Sequence, residues 1–372
     1  MAFDTPELIG ETQAFAQWGD WITRRRQYFA LYDADGKPHR NCGIVSGQFN
    51  NVPEKVPDLA GIARSLDGPV LFAGLAPQQF GHVLLTSLGR LWALERLPRD
   101  TTLYFVSKKA ARPRSYQHLR PALQLFGIGN PVVVSRDPLR IDRAYLASDL
   151  FGEAHDGRGA PQFHDWVDRR LPPPGPVDAG RSVYVTRSRL GPGAGRFACE
   201  DHLEALLRDQ GYEVFAPERH DLATQVRTFQ QAGRLIFAEG SALHLYGLVA
   251  RQRQKVAVVQ RRIELPPLIE AQLTDRTGVR VEFINAIREV YWPPVPGDHY
   301  SIAILDFERL ENALARAGMI SKQKTAWTAP DDNALQASLT AGLKPGEKLY
   351  DEAGRDAYLR ERRRRLRKRI RI

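Results

Sequence analysis

Cysteine is nearly missing: Cys42 and Cys199 are the only two in 372 residues, they lie far apart, and neither sits in a C-x-x-C or Cys/His spacing. That excludes a disulfide-rich scaffold and a zinc module, and makes a reducing compartment the simpler home. Long apolar runs are missing too. The most apolar stretch, residues 234–250, is broken by Glu239 and His244, so nothing reads as a membrane span. The opening "MAFDTPELIGETQAFAQWGDW" has no basic region followed by an apolar core, and the expectation is neither a signal peptide nor a signal anchor. There is no internal repeat and no Walker A lysine loop. No G-x-G-x-x-G lies directly between a strand and a helix with an acid about 20 residues on.

What is present is an ordinary globular composition, 43% hydrophobic and 26% charged. The length suits two domains of roughly 150 residues. The formal net charge is +10, but "RRRRLRKRIR" at 362–371 holds eight Lys or Arg, and without them the body is about +2. The basic signal is therefore a tail on a nearly neutral body, which weighs against a nucleic-acid-binding protein led by that tail.

From "GPVLFAG" at 68–74 the pattern alternates. Residues 81–97 read as a helix, "TTLYFVS" as a strand, 114–126 as a helix and "PVVVS" as a strand. This βα alternation predicts a largely parallel sheet with helices on both faces. "RRLPPPGPVDAG", residues 169–180, is the best linker in the chain. A second alternation follows: "RSVYVTR", the helix "CEDHLEALLRDQG", "YEVFAP", the helix "DLATQVRTFQQAG", "RLIFAE", another helix and "KVAVVQR". Residues 1–67 are less regular, and from about 326 the chain reads as helices without strands. The fold expected is α/β, with two Rossmann-like domains joined by a proline linker.

Chemistry is expected at the carboxyl ends of the strands. Arg187 ends the first strand of the second alternation, where its fork suits a phosphate, although from this residue alone a solvated strand-end arginine is the simpler reading. Glu200 opens the following helix, where any acid is favoured. At Glu239-Gly240-Ser241 a buried strand turns into a helix, so Gly240, Ser241 and Ala242 would offer free amides to a phosphate or diphosphate. Ser241 could add a hydroxyl donor or merely cap the helix. It is no hydrolase nucleophile, because Glu239 and Leu243 replace the glycines of G-x-S-x-G. In "FGHVLLTSLGRLWAL" the helical period puts His82, Thr86 and Arg90 on one stripe, opposite Leu84, Leu88, Leu91 and Trp92. That stripe would face outward, to solvent or a cleft. A histidine there can serve as a general base on a hydroxyl, or simply sit satisfied at a helix start.

"GHVLLTSLGRLWAL", then "VYVTRSR" with a later arginine and acid, then "DLATQVRTFQQAGRLIFAEGSALHL" resembles glycosyltransferase family 61, including its bacterial capsular-polysaccharide-type members. The resemblance spans roughly residues 70–260. It implies a GT-B-like fold, two Rossmann-like domains facing a cleft, with a helical C-terminal tail. It implies an inverting mechanism with a nucleotide-sugar donor, no cofactor and no essential metal, and the absence of D-x-D from the second alternation fits. By position, His82 and Arg90 match the family's histidine and arginine on the first helix. Arg187 matches its strand-end arginine, and Arg196 and Glu200 the arginine and acid that follow. Gln225 matches its helix glutamine, and Gly240 its closing glycine. Two positions depart. Thr86 stands where many relatives carry an acid, and Glu239 where many carry a histidine. Glu239 would bind ribose or sugar hydroxyls, act as base, or accept helix-start amides as a structural carboxylate.

The domains expected are then 1–170, acceptor-side; 171–180, linker; 181–325, donor-binding; and 326–372, a helical basic tail. The reaction expected is transfer of a sugar from a nucleotide diphosphate to a glycan or lipid-linked glycan hydroxyl in cell-surface or capsular polysaccharide synthesis. Catalysis falls to His82 or Glu239, and the donor to Arg187, Arg196, Glu200, Gln225, Gly240, Ser241 and Ala242. Rival readings are another nucleotide- or phosphate-binding α/β enzyme, such as a sulfotransferase, and a nucleic-acid binder through the tail. If helical, residues 359–372 carry a narrow stripe of Leu359, Leu366 and Ile370 among arginines. That would hold a cytoplasmic protein on an anionic membrane surface, unless the tail is simply solvated.

Overall fold

The computed structural model describes residues 5–21, 26–39, 42, 58–107, 112, 116–191, 193–295, 297–322 and 326–370. The chain forms two compact units, Met1–Pro173 with Pro267–Arg276, and Pro174–Pro266 with Thr277–Ile372. The Pro172-Pro173-Pro174 run thus holds one change of unit, and the helix at 267–275 counts with the first unit although strands of the second precede and follow it.

In the first unit the strands are β1 (Leu8–Trp21), β2 (Arg26–Tyr32), β3 (Ser65–Leu75), β4 (Thr102–Val106), β5 (Val132–Ser135) and β6 (Leu139–Ala147). They form one sheet in the order β2-β1-β6-β3-β4-β5, with β6, β3, β4 and β5 parallel and β1 and β2 antiparallel. The helices are α1 (Phe80–Thr86), α2 (Leu119–Leu125) and α3 (Pro161–Arg170). The irregular opening expected for residues 1–67 therefore holds two strands.

Helices were expected on both faces here, and the structure differs. Along β3 and β4, Val70, Phe72, Tyr104 and Val106 share one face by the two-residue period, and they cluster with Ala14, Ala16, Phe29 and Leu31 of β1 and β2. Phe29 stacks on Phe72 at 5.6 Å between ring centroids. In a flat sheet of this order β2 would lie three strands from β3, roughly 14 Å away. The sheet must therefore curl, so that its antiparallel end covers its own parallel strands. The other face takes α1, which packs on β3 and α2. The stacked Phe126, Trp166, Phe163 and Phe151 rings join α3 to the same helical layer.

The continuous helix expected over 81–97 breaks. It ends at Thr86, and a 3-10 turn resumes at Leu91–Arg96. Ser87 donates its hydroxyl to the Leu75 carbonyl at 2.5 Å, and Gly89 accepts from the Leu150 amide at 2.9 Å. Tertiary hydrogen bonds here displace the helical ladder. The helix expected from 114 begins at Leu119, and residues 113–115 lie outside the described set.

In the second unit β7 (Asp178–Val185), β9 (Tyr212–Phe215), β10 (Ala232–Ala238), β11 (Lys255–Val259) and β12 (Val281–Ile284) form a fully parallel sheet in the order β12-β11-β10-β7-β9. Counted along the chain this is 2-1-3-4-5, a doubly wound order whose switch point lies between β7 and β10. Helices α4 (Glu200–Asp209) and α8 (Phe307–Arg316) cover one face, with Leu203, Leu207, Leu310 and Leu314 packed on Tyr184, Ile236 and Ala257. Helices α5 (Leu222–Gln231) and α6 (Ala242–Val249) cover the other, where Phe229 and Tyr246 meet Phe237. A small sheet of β13 (Ile287–Tyr291), β14 (Ile302–Leu305) and β8 (Arg196–Phe197) stands beside it. Strand β7 begins at Asp178, inside the stretch expected to be linker.

After α7 (Pro267–Asp275) and α8, the chain ends in α9 (Asp332–Thr340) and α10 (Glu352–Ile370). The absence of strands expected beyond 326 holds except for an isolated bridge between Tyr350 and Trp292. The base of α10 is tied down: Arg355 lies over the Trp292 ring at 4.4 Å and pairs with Asp298 at 3.0 Å, and Tyr358 donates to the Pro294 carbonyl. Among the described residues no helix is long and apolar enough to cross a membrane. Leu359 is half-buried, while the side chains of Leu366 and Ile370 fall outside the described set.

Candidate active site

At the switch point of the second unit, β7 runs out at Val185 and Thr186, and Arg187 follows. Its amide donates to Glu200 Oε1 at 2.7 Å, and its Nε and Nη2 both donate to the Gly195 carbonyl at 3.2 and 3.0 Å. Across the switch point β10 ends at Ala238, followed by Glu239 and Gly240. A Cβ at Gly240 would collide with Nη1 of Arg187, so only glycine lets the guanidinium lie over the start of α6. Sequence reasoning had Arg187 and Gly240 as separate strand-end features; the fold makes them one.

The amides of Gly240, Ser241 and Ala242 have no protein partner among the described residues. They open α6, where orphan amides and the helix dipole favour an anion. Ser241 occupies the N-cap position without a side-chain capping bond.

Glu239 is fully buried and both its oxygens are engaged. Oε2 accepts from the amides of Arg261 and Arg262 at 2.9 and 3.1 Å, and Oε1 accepts from Arg262 Nε at 2.5 Å. The helix-start amides expected as its partners are not the ones it takes. Its chemistry is that of a strut holding the loop after β11.

Arg261 and Arg262 were missed by sequence reasoning, although the signal was readable, because "VVQRR" ends a strand just as "YVTR" does. Arg261 is 3% exposed; its Nη1 donates to the Ser301 carbonyl and hydroxyl at 3.1 and 2.8 Å, and its Nε is buried without a partner. Burial, reinforced by the nearby Arg187 cation, pushes its pKa down to about 10, with Glu239 opposing. Arg187 is also lowered by burial, with Glu200 and Glu239 opposing. Both stay cationic at neutral pH. Three guanidinium groups thus gather near the Glu239 carboxylate, with a second carboxyl close by.

That second carboxyl is Glu200. It is buried; Oε1 accepts from Tyr184 at 2.9 Å and contacts Thr186 Oγ1 at 2.8 Å, while Oε2 has no partner among the described residues. Burial raises its pKa against these hydrogen bonds. The same Thr186 hydroxyl also lies 2.7 Å from Glu204, whose pKa is lowered. Burial opposes that lowering, and hydrogen bonds from Ser188 and Thr186 overcome it.

Arg196 and Gln225 serve the walls. Arg196 donates to the carbonyls of Ser338 and Ala341 at 2.8 and 3.1 Å, at the carboxyl end of α9, where a cation is favoured. Gln225 donates to the carbonyls of Pro217 and His220 at 2.8 and 3.0 Å, fixing the loop after β9, and its Oε1 is buried without a partner.

In the first unit, chain-order strands β3, β4, β5 and β6 place a switch point between β3 and β6, and Arg90 is found there. It is buried, pairs with Asp149 at 2.7 Å and lies over the Phe72 ring, and Thr86 is buried too, so the outward stripe expected of His82, Thr86 and Arg90 holds only at His82. The helix break turns Arg90 inward. Thr86 donates to the His82 carbonyl at 2.8 Å. His82 does face outward, its side chain 54% exposed, and Nδ1 lies 2.5 Å from Glu153 Oε1. Glu153, in the 3-10 turn Glu153–His155, was not found from the sequence, and a separation of 71 positions leaves no local signal for the pairing.

No group of three or more His, Cys, Asp or Glu side chains is disposed to hold a metal ion among the described residues. The switch-point cluster instead has the chemistry to seat an anion with two or more oxygens. No curated protein matches the chain. The family model described as Glycosyltransferase 61 matches residues 80–256, which take in α1 with His82, the β7 to β10 switch point, and the start of α6. Over that region the chain is similar to glycosyltransferase family 61.

Proposed function

We propose that the chain is an inverting, GT-B-like glycosyltransferase that moves a sugar from a nucleotide diphosphate to a glycan or lipid-linked glycan hydroxyl. The observation that carries this reading is the gathering of guanidinium groups and free helix-start amides at the β7 to β10 switch point. Arg187 lies over the start of α6, whose amides are free among the described residues, and Arg261 is buried nearby with its Nε unpartnered. A buried guanidinium nitrogen without a partner is costly, and an anionic ligand removes the cost. A departing diphosphate, which gains charge as its bond to the sugar breaks, is stabilised there without reorganisation of the protein. Fixed guanidinium groups do electrostatically what a divalent cation does elsewhere, so no metal is required.

His82 is the base in this reading. It takes the acceptor hydroxyl proton while the oxygen attacks the anomeric carbon from the face opposite the phosphate. The setting is synthesis of cell-surface or capsular polysaccharide, with the protein at the cytoplasmic face of a membrane and the arginines of α10 against anionic lipid. Arg360 and Arg362 to Arg364 are exposed, which supports the last point.

Thermal denaturation in the presence of UDP, GDP, dTDP, CMP and inorganic phosphate tests the donor site. A nucleoside diphosphate at 100 times its Kd should add about 2.7 kcal/mol to the folded state and raise Tm. Absence of any shift at millimolar nucleoside diphosphate, or an equal shift with inorganic phosphate alone, refutes a nucleotide donor.

A further inference from the structure

We infer that Glu153 is the positioning residue of the base: it accepts the proton-bearing Nδ1 of His82, so that the exposed Nε2 is left bare to take a proton. The inference rests on the reading of His82 given above, and its geometry stands apart from that reading.

The pair is built. Glu153 Oε1 and His82 Nδ1 lie 2.5 Å apart, the carboxylate side chain 11% exposed and the imidazole 54% exposed. The buried member is the carboxylate and the accessible member the imidazole, the order needed for a carboxylate to orient an imidazole that works on a substrate. Nothing among the described residues engages Nε2.

The loop carrying Glu153 is held against α1 by backbone. Gly152, at φ +102°, is placed where a Cβ would collide with the Leu85 carbonyl, so the chain approaches α1 as closely as a backbone can. The Gly152 amide donates to the Arg158 carbonyl at 3.0 Å, and the amides of His155 and Gly157 donate back to the Gly152 carbonyl, each at 2.9 Å. His155 Nε2 lies 2.6 Å from the Asp149 carbonyl, pinning the other side of the turn.

For donor hydrolysis, with water as the acceptor, the step balances as follows. A water O–H bond breaks and its proton goes to His82 Nε2. The oxygen forms a bond to the anomeric carbon, and the bond from that carbon to the phosphate oxygen breaks. The electron pair leaves with the nucleoside diphosphate. Glu153 gains and loses nothing; it accepts the Nδ1–H throughout and steadies the imidazolium once formed.

The test uses the full chain with Glu153→Ala, Glu153→Gln and His82→Ala. Long-range 15N–1H spectra of histidine-labelled protein, without substrate, read the tautomer: wild type should carry the proton on Nδ1 of His82. Glu153→Ala should shift it toward Nε2, and Glu153→Gln, whose amide oxygen can still accept, should keep it. Hydrolysis is then measured for whichever of UDP-glucose, UDP-N-acetylglucosamine, GDP-mannose and dTDP-glucose raises Tm most. Glu153→Ala should lower kcat about 10²-fold with KM within about two-fold, and Glu153→Gln should fall between it and wild type. If Glu153→Ala does not fold, the isosteric Glu153→Gln carries the test, with kcat clearly below wild type as the required result. A bare Nδ1 in wild type, or wild-type kcat in the variants, overturns the inference. An Nδ1–H tautomer together with full kcat in His82→Ala overturns the base reading and this role with it, while unchanged nucleotide-induced Tm shifts would show the donor site standing independently.

Discussion

Arg187→Lys separates two jobs that the structure loads onto one side chain. The arginine donates twice to the Gly195 carbonyl, through Nε at 3.2 Å and Nη2 at 3.0 Å, while Nη1 lies over Gly240. A lysine brings one ammonium on a stem that cannot fork, so at least one charge-assisted bond inside the second unit is lost. Such a bond is worth about 1.5–3 kcal/mol. At roughly 2–4 °C per kcal/mol for a domain of this size, Tm should fall by about 3–12 °C. The same lost fork weakens a bound diphosphate, by about 10- to 100-fold in Kd if one charged hydrogen bond is forfeited. Differential scanning calorimetry reads the first effect, and titration calorimetry with the best-binding nucleoside diphosphate reads the second. A lowered Tm with unchanged Kd would make Arg187 a loop clasp and remove it from the donor site. Unchanged values of both would refute the hydrogen-bond reasoning altogether.

Three further outcomes follow from the same geometry. Glu239→Gln breaks a buried ion pair and should cost about 3–5 kcal/mol in a thermal or denaturant melt; a loss of kcat with wild-type stability would instead restore Glu239 as a base. Because burial raises the Glu200 pKa in the folded state, its contribution to stability is full below the ordinary carboxylate range and is lost as pH rises through the folded value. Tm of Glu200→Gln relative to wild type should therefore improve as pH rises from the ordinary carboxylate range, and an improvement on lowering pH would reverse the sign of the argument. A chain ending at Arg360 should lose co-sedimentation with anionic vesicles while keeping its Tm, and equal binding by the full and shortened chains would discard the membrane role of α10.

Much of this is legible in the amino-acid sequence. The two-residue and helical periods located most elements of both alternations, and the rule that α/β sheets bind ligands at strand ends singled out Arg187 and Gly240. Where reading failed, the cause was tertiary. The helix through Ser87 and Gly89 has good local periodicity, and only the carbonyl of Leu75 and the amide of Leu150 explain why it breaks. Arg90 turned inward for that reason. Glu153 became visible only when Gly152 met α1, since no spacing rule links residues 82 and 153. The curled sheet was hidden as well, because alternating apolar residues announce a buried face without naming what buries it.

The last feature concerns inheritance. Arg196 holds the end of α9, Cys199 donates its amide to Ser338 at 2.9 Å, and Trp327 is buried with its amide on Glu311 at 3.0 Å. Residue 195, one step before Arg196, supplies the carbonyl that aims Arg187. Residues 326–341 are thus a wall of the second unit rather than the start of an appendage. Evolution or an engineer can vary, shorten or exchange the arginine run beyond Arg360 at little structural cost. A graft joined at 325 would carry the recognisable motifs and leave Arg196 without the helix end it grips, so the module that can be moved between proteins is longer than the motifs suggest.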